Sequence, residues 1–477
     1  MKKLLILIGV VATLLLGGYY TAGLITERSF NRLVQDIRTT KHVDLKIVKY
    51  NRGLFTSTAL INWNLQLPSD IQAGARQNLD IATQNYLLPI NLDIFHGPII
   101  IAKSGLHVGF GFVESILKAP QAYKKQLENI LQAGTKYPVI NIGILISFFN
   151  EAELHISIPA FNITMHEKLL QFDFKGFKAS STLALSLKHL KGDSQLSAVN
   201  FRQGDIGVKL DKVNSEYKLR QTKLGLYDGT AIFNVQSLQL ENKGQVKFAI
   251  EDFKLSSSNK EKRGLFSTEI KTGINKLIIE TITYGPLVLE LALDNLDATV
   301  LAKIRDQWQE VGPSAINKKQ TLFLTILPEL PALLSKGITF SVPEFSFVMP
   351  GGELKADLSI SLLKNSINNP FQILSHLFGF GHAVIPAKIM RDLIDDVVRK
   401  KLEQTPTPSP TASPDSKPVH DDDVANKIKS LRDKRLSSLV ESGAIVASGN
   451  DYTIDVKLEQ GRITVNGKPF APAMLEF

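Results

Sequence analysis

The sequence predicts a mainly β (α+β) protein: an N-terminal transmembrane helix, then a long antiparallel β-sheet body with a few packed helices. Three observations predict it. Residues 4–25 form an apolar run without a charge. From residue 42 onward, short runs that alternate apolar with polar residues recur, separated by Gly, Asn and Asp. Helical spacing of apolar residues appears in only a few places.

The apolar run follows Lys2 and Lys3 and is long enough, as a helix, to cross the roughly 30 Å core of a bilayer. It reads as a cleaved secretory signal or as an uncleaved signal anchor. A cut after Ala22 would put Tyr20 where a small residue is wanted. Gly17, Gly18, Tyr19 and Tyr20 suit an interfacial end, with tyrosines at headgroup level, so the expectation is an anchor. Lys2 and Lys3 favour an inside amino end, whereas Arg28, Arg32, Arg38 and Lys41 pull the other way. The chain has no cysteine, which suits an oxidising compartment. The expected location is the bacterial inner membrane, single-pass, with the bulk in the periplasm and the lipid bilayer as the helix's partner.

A hydrophobic share of 44% with 21% charged residues is that of a globular chain, and 477 residues imply two or three domains. The net charge of +9 raises the question of nucleic acid. The basic residues are spread evenly and alternate with apolar ones, as solvated strand faces do, so no nucleic-acid partner is expected. Anionic headgroups are the natural counter-charge for Arg28, Arg32 and Arg38.

Phe30, Leu33, Val34 and Ile37 share a helix face beyond the span. Strands follow at residues 42–50, 59–67, 91–101 (broken at Gly97-Pro98), 139–149 (apolar enough to be buried on both sides) and 154–158. Residues 200–255 read as a meander. Further strands fall at 276–284, 287–293, 338–348 and 353–363. Helices are expected at 120–134, along Val300, Leu301, Ile304, Trp308 and Val311, and at 385–402. The last reads either as packed on a sheet edge or as lying on a membrane or groove. The expected domains are the anchor, 1–25; a β-rich body, 26–403; a Pro/Ser/Thr-rich linker, 404–423; and a helix with a closing hairpin, 424–477. RGLFTS at 52–57 recurs as RGLFST at 263–268, and HGP at 96–98 as YGP at 284–286. That echo reads as chance or as a duplication with halves near 42–255 and 256–403.

No catalytic motif is present, and neither a cofactor nor a metal site is expected. The nine histidines make no metal spacing, and there is no GxSxG elbow or P-loop. His96 and His107 are near enough to meet across a hairpin. GFGH at 379–382 lacks the preceding strand of a phosphate loop. Asp392, Asp395 and Asp396 fall on the solvent side of their helix.

The pieces resemble the YdgA-like proteins of Gram-negative bacteria. The resemblance rests on a basic start and one span, then Tyr50, Arg52, Gly53, Leu54, Phe55 and Ser57, then His96, Gly97 and Pro98, and last Ile463, Thr464, Asn466 and Gly467. A Gln460-Gly461 turn stands in place of Asn-Gly. The resemblance implies an inner-membrane protein with a periplasmic bulk and brings no catalytic residues. The motif positions suit turns as readily as function. The expected role is non-enzymatic: a body of long strands with few covering helices offers an apolar concave face to lipid or to an envelope protein. The alternatives are a structural protein linking envelope components and, third, a hydrolase of envelope polymers.

Overall fold

The computed structural model describes residues 2–41, 44–65, 86–118, 131–132, 135–165, 170–184, 186, 188–310, 326–364, 373–404 and 421–471. The chain divides into two compact units: residues 1–245 with 309–318, and residues 246–308 with 319–477. The helix expected at 120–134 lies outside the described residues except at Leu131 and Gln132, where Leu131 forms a β-bridge to Met165. Linker residues 405–420 also lie outside them.

The first unit opens with helix α1 (Lys2–Lys41). Among the described residues no helix is long and apolar enough to cross a membrane. The side chains of residues 2–15, most of the expected span, lie outside the described ones. Beyond them, Ala22, Thr26, Phe30 and Val34 recur every four residues and are buried, so one helical face is committed to the sheet. That sheet begins with β1 (Asp44–Arg52), β2 (Thr56–Leu65) and β3 (Tyr86–His96). A separate hairpin, β4 (Ile99–Ala102) and β5 (Gly105–Val108), interrupts it before β6 (Gly111–Lys118) pairs with β3. Phe30 and Val34 pack on Ala59, Ile61, Ile90, Leu92, Ile94 and Val113, the alternate residues that β2, β3 and β6 turn towards α1.

From β6 the sheet continues sideways through β7 (Val139–Ile146), β8 (Glu151–Ile158), β11 (Phe177–Ala184), β12 (His189–Gln203), β13 (Ile206–Gln221) and β14 (Tyr227–Asn242). The short pair β9 (Phe161–Met165) and β10 (Leu170–Phe174) joins β12 beside β11. Register sorts the side chains into rows. Ile158, Phe177, Leu196, Val213 and Val235 are lateral neighbours on one face, as are Phe161, Phe174, Val199, Leu210 and Leu238. On the other face, His155, Ser180, Asp193 and Glu216 form one row, and Asn162, Asp173, Asn200, Lys209 and Gln239 another. Within each set of rows, one side of the strands is therefore apolar and the other polar. Between Ala152 and Ala249, Leu226 is the one buried apolar side chain among the described residues. The 139–149 run, expected to be buried on both sides, is half-buried over residues 139–145, buried at Ile146 and Ser147, and exposed at Phe148 and Phe149, the latter to 84%. An apolar run reports strand propensity, while burial requires a covering layer.

The second unit is an antiparallel sheet in the order β15 (Gln245–Lys262), β16 (Leu265–Ile274), β19 (Leu287–Asp297), β20 (Thr339–Met349), β21 (Gly352–Leu362), β22 (Leu377–Pro386), β24 (Asp451–Glu459), β25 (Arg462–Val465) and β26 (Lys468–Pro469). The hairpin β17 (Lys276–Ile279) and β18 (Ile282–Tyr284) adds to β15, and β23 (Val446–Ser448) to β24. GFGH lies within β22 rather than in a loop. Helix α2 (Ala298–Glu310) starts where the Asp297 carboxylate accepts the Thr299 and Val300 N–H groups. A short α3 (Leu330–Leu334) precedes β20. Helix α4 (Ala387–Gln404) packs on the sheet through Tyr452 and Ile454 of β24, while Leu393 and Val397 of its apolar side stay exposed. Met390, Ile394 and Val398 pack with Ile428 and Leu436 of α5 (Asp421–Ser442), and Asp395 pairs with Arg432 at 3.2 Å. The closing hairpin belongs to this sheet, since β24 pairs with β22 along its whole length.

The sequence echo is only partly geometric. Gly97 and Gly285 share a positive φ, +118° and +109°. Arg263 and Gly264 form a tight turn with positive φ at both residues, whereas Gly53 has no positive φ and its turn runs on through Leu54 and Phe55.

Candidate functional site: a sealed serine–histidine pair under the first helix

Alternation along β2 places Ser57 on the same face as Ala59 and Ile61, and along β3 places His96 in line with Ile90, Leu92 and Ile94. The two polar residues thus end two apolar rows that α1 covers. Ser57 Oγ lies 2.6 Å from His96 Nε2, and both residues are at most 3% exposed. The Gly53 N–H donates to the same Oγ at 3.3 Å. Nδ1 of His96 is buried without a hydrogen-bond partner among the described residues. Burial, with a smaller opposing influence from Glu27, pushes the imidazole below its ordinary value, so it is neutral at pH 7. The Tyr50 hydroxyl approaches Ser57 without the geometry of a hydrogen bond, and its own burial raises its pKa.

The helix closes over this pair at short range. Gly23 lies against the His96 ring, which is 3.5 Å from where a Cβ would stand. Thr26 bonds the Ala22 carbonyl at 2.8 Å and the Phe110 carbonyl at 3.0 Å. A Cβ at Gly111 would overlap Thr26, and one at Gly97 would overlap the Tyr19 ring. The Tyr19 ring meets Phe55 edge-on at 4.9 Å, and its hydroxyl donates to the Ile99 carbonyl at 2.9 Å. Arg52 pairs with Glu27 at 3.2 Å and lies 5.3 Å from the centre of the Tyr20 ring. The Gly97 N–H donates to Phe110, and the Pro98 carbonyl accepts from Gly109, which closes the base of the β4–β5 hairpin.

The structure therefore brings Tyr50, Arg52, Gly53, Phe55, Ser57, His96, Gly97 and Pro98 to one place, on Tyr19, Tyr20, Gly23, Thr26 and Glu27 of α1. His96 and His107 have separate partners: His107 stacks on Phe112 at 3.9 Å and bonds Ser104 at 3.2 Å. Sequence reasoning missed Gly23, Thr26, Glu27 and Gly111. The signal that could have found the buried pair is positional: a serine and a histidine each continue an apolar row, where an unpaired polar group is costly.

A Ser–His pair has two of the three parts of a hydrolytic triad. Here, among the described residues, the base has no carboxylate on Nδ1, and the hydroxyl is buried. What the arrangement can do is join β2 to β3 beneath α1, which is itself fixed on the sheet by the Thr26 and Tyr19 hydrogen bonds, the Arg52–Glu27 pair and the close approaches at Gly23, Gly97 and Gly111.

Two other places could be sites. A groove of about 620 Å³ is lined by His107, Glu114, Asn141, His155, Lys178 and Asp193. Glu114 and His155 flank Gly143 in one row, two strand spacings or roughly 10 Å apart at the backbone, and Glu114 Oε2 is buried without a hydrogen-bond partner among the described residues. The later motif residues lie in the second unit. Asn466 and Gly467 form the β25–β26 turn, both with positive φ, and Thr464 and Gly467 border a groove of about 520 Å³ beside His382 and Asp455. The Asn466 side chain donates to the Gly443 and Ala444 carbonyls and accepts the Asp455 N–H at 2.8 Å, which fixes the end of α5 to the hairpin. Ile463 is 43% exposed. Among the described residues, no three His, Cys, Asp or Glu converge as metal ligands would.

Fold and site define an antiparallel-sheet protein with its first helix latched onto one end of the sheet. Residues 1–473 match the family described as bacterial protein of unknown function, DUF945, and the chain belongs to that family. No curated protein and no solved structure matches the chain.

Proposed function

We propose that this chain is an envelope protein held to the bacterial inner membrane by α1, with its body in the periplasm. It acts without catalysis, by offering the apolar rows of β8–β14 to a lipid. The ordered motifs that resemble the YdgA-like proteins support this placing. The observation that carries the lipid reading is the set of apolar rows whose members stay half-exposed across the meander. Apolar rows of that extent call for an apolar occupant. Support for the non-enzymatic half comes from the sealed Ser57–His96 pair. A protein that links envelope components would be served by a tail free to search for partners, and pairing of β24 into the sheet weakens that alternative.

Native mass spectrometry of the detergent-extracted protein tests the reading. Phospholipid should co-purify with the parent chain and fall several-fold in a Leu210→Asp, Val213→Asp double variant that unfolds at an unchanged temperature. Equal lipid on both proteins, or lipid on neither, overturns it. Carbonate extraction tests the anchor separately.

A further inference from the structure

Three turns of the first unit meet at one end of its sheet: Leu54–Phe55 between β1 and β2, the β4–β5 hairpin between β3 and β6, and Phe148–Phe149 between β7 and β8. Antiparallel pairing requires this, because each turn joins strands that leave and return at the same edge. The turns are apolar where turns are ordinarily polar. Cross-strand pairs Ile99–Val108 and Ile101–Leu106 put four aliphatic side chains on one face of the hairpin, 57–80% exposed, while Ile100 on its other face is buried. Phe55 is 50% exposed and Phe149 84%.

Helix α1 reaches the same edge. Phe30 and Val34 lie on the strands, Thr26 bonds Phe110, and Tyr19 bonds Ile99 and packs on Phe55. Each step towards the amino end is a step towards the turns. Just before Tyr19, a Cβ at Gly17 or Gly18 would meet no part of the sheet or its turns within 4 Å. Phe148 packs on Phe110 at 4.9 Å, so the third turn is held at that level too.

We propose that these three turns form a collar that inserts into the phospholipid interface around the emerging helix. The proposal rests on the reading of α1 as a membrane anchor. The occupant is lipid because the exposed apolar tips share the level at which the helix leaves the protein, beside Tyr19 and Tyr20, the residue type that settles at headgroups. The collar and latch would set the sheet at a fixed height and tilt on the bilayer.

The chain lacks cysteine, so single labels are direct. Ile101→Cys, Leu106→Cys and Phe149→Cys, with Lys212→Cys as an exposed reference, are labelled with a polarity-sensitive fluorophore. The full-length protein is placed in phosphatidylethanolamine/phosphatidylglycerol nanodiscs that carry doxyl-labelled lipid. The three collar labels should be blue-shifted and quenched several-fold more than the Lys212→Cys label. Four equal responses from protein that survives carbonate extraction overturn the collar and leave the anchor standing. Release by carbonate overturns the anchor and the collar with it. Labels shielded from aqueous iodide yet unquenched by doxyl lipid identify a protein cover and also overturn the proposal.

Discussion

The two ends of the first unit's sheet are written in the same alternation and end in different states. At the α1 end, Ala59, Ile61, Ile90, Leu92, Ile94 and Val113 face the helix and are almost fully buried. Across β8 and β11–β14, rows such as Ile158, Phe177, Leu196, Val213 and Val235 repeat the pattern and stay half-exposed. Alternation specifies register and face in both places. Only at the α1 end does the chain supply the covering layer, so the first region is a core and the second is a surface.

The sharpest test is to shorten one side chain in each. Ile94→Ala empties a fully enclosed site and should cost about 2–5 kcal/mol, whereas Leu210→Ala in the open meander should cost about 1 kcal/mol or less. Urea midpoints of the two variants in detergent measure the gap, and equal losses would mean that the meander is covered after all. Gly97→Ala belongs with the large effects. It sets a Cβ into the Tyr19 ring at φ +118°, for about 2–5 kcal/mol, while Gly23→Ala gains only ordinary contact with His96 and should be near neutral.

The buried pair gives the covered end a pH dependence. His96 has its folded pKa lowered, chiefly by burial, with Glu27 opposing and Arg52 assisting. As pH falls below about 6.5, the unfolded chain takes the proton first. The pair's contribution is full above that value and is lost as pH falls on towards the folded pKa. His96→Gln should flatten this acid limb of the stability curve and cost about 1–3 kcal/mol at pH 7. A variant with the parent's acid slope would place the titrating group elsewhere.

How much of this was legible follows from what each signal encodes. Strand runs and two-residue turns are local, so the Gln460-Gly461 and Asn466-Gly467 turns stand where the residues put them, with positive φ at all four positions. The helical face of Phe30 and Val34 was legible for the same reason. The meeting of Ser57 with His96, of Thr26 with Gly111 and of β24 with β22 depends on register between distant strands, which one sequence does not carry. The motif residues 50–57 and 96–98 read as turns because of Gly53 and of Gly97-Pro98. The serine and histidine that matter sit one step inside, at the ends of apolar rows. Burial of the 139–149 run was misjudged because composition cannot say whether a second layer exists.

The smallest expected effect separates packing from charge at the covered end. Arg52 bonds Glu27 and lies over Tyr20, but both members of the ion pair are about one-third exposed (35% and 30%). Water screens such a pair, and holding the long side chain in place offsets much of the gain. Arg52→Gln should therefore cost about 0–1 kcal/mol, well below Ile94→Ala, with a cost that shrinks in high salt. The measurement is the urea midpoint at low and high ionic strength. A loss as large as that of Ile94→Ala, abolished by salt, would make the latch electrostatic and leave the apolar rows with a lesser part in holding the helix.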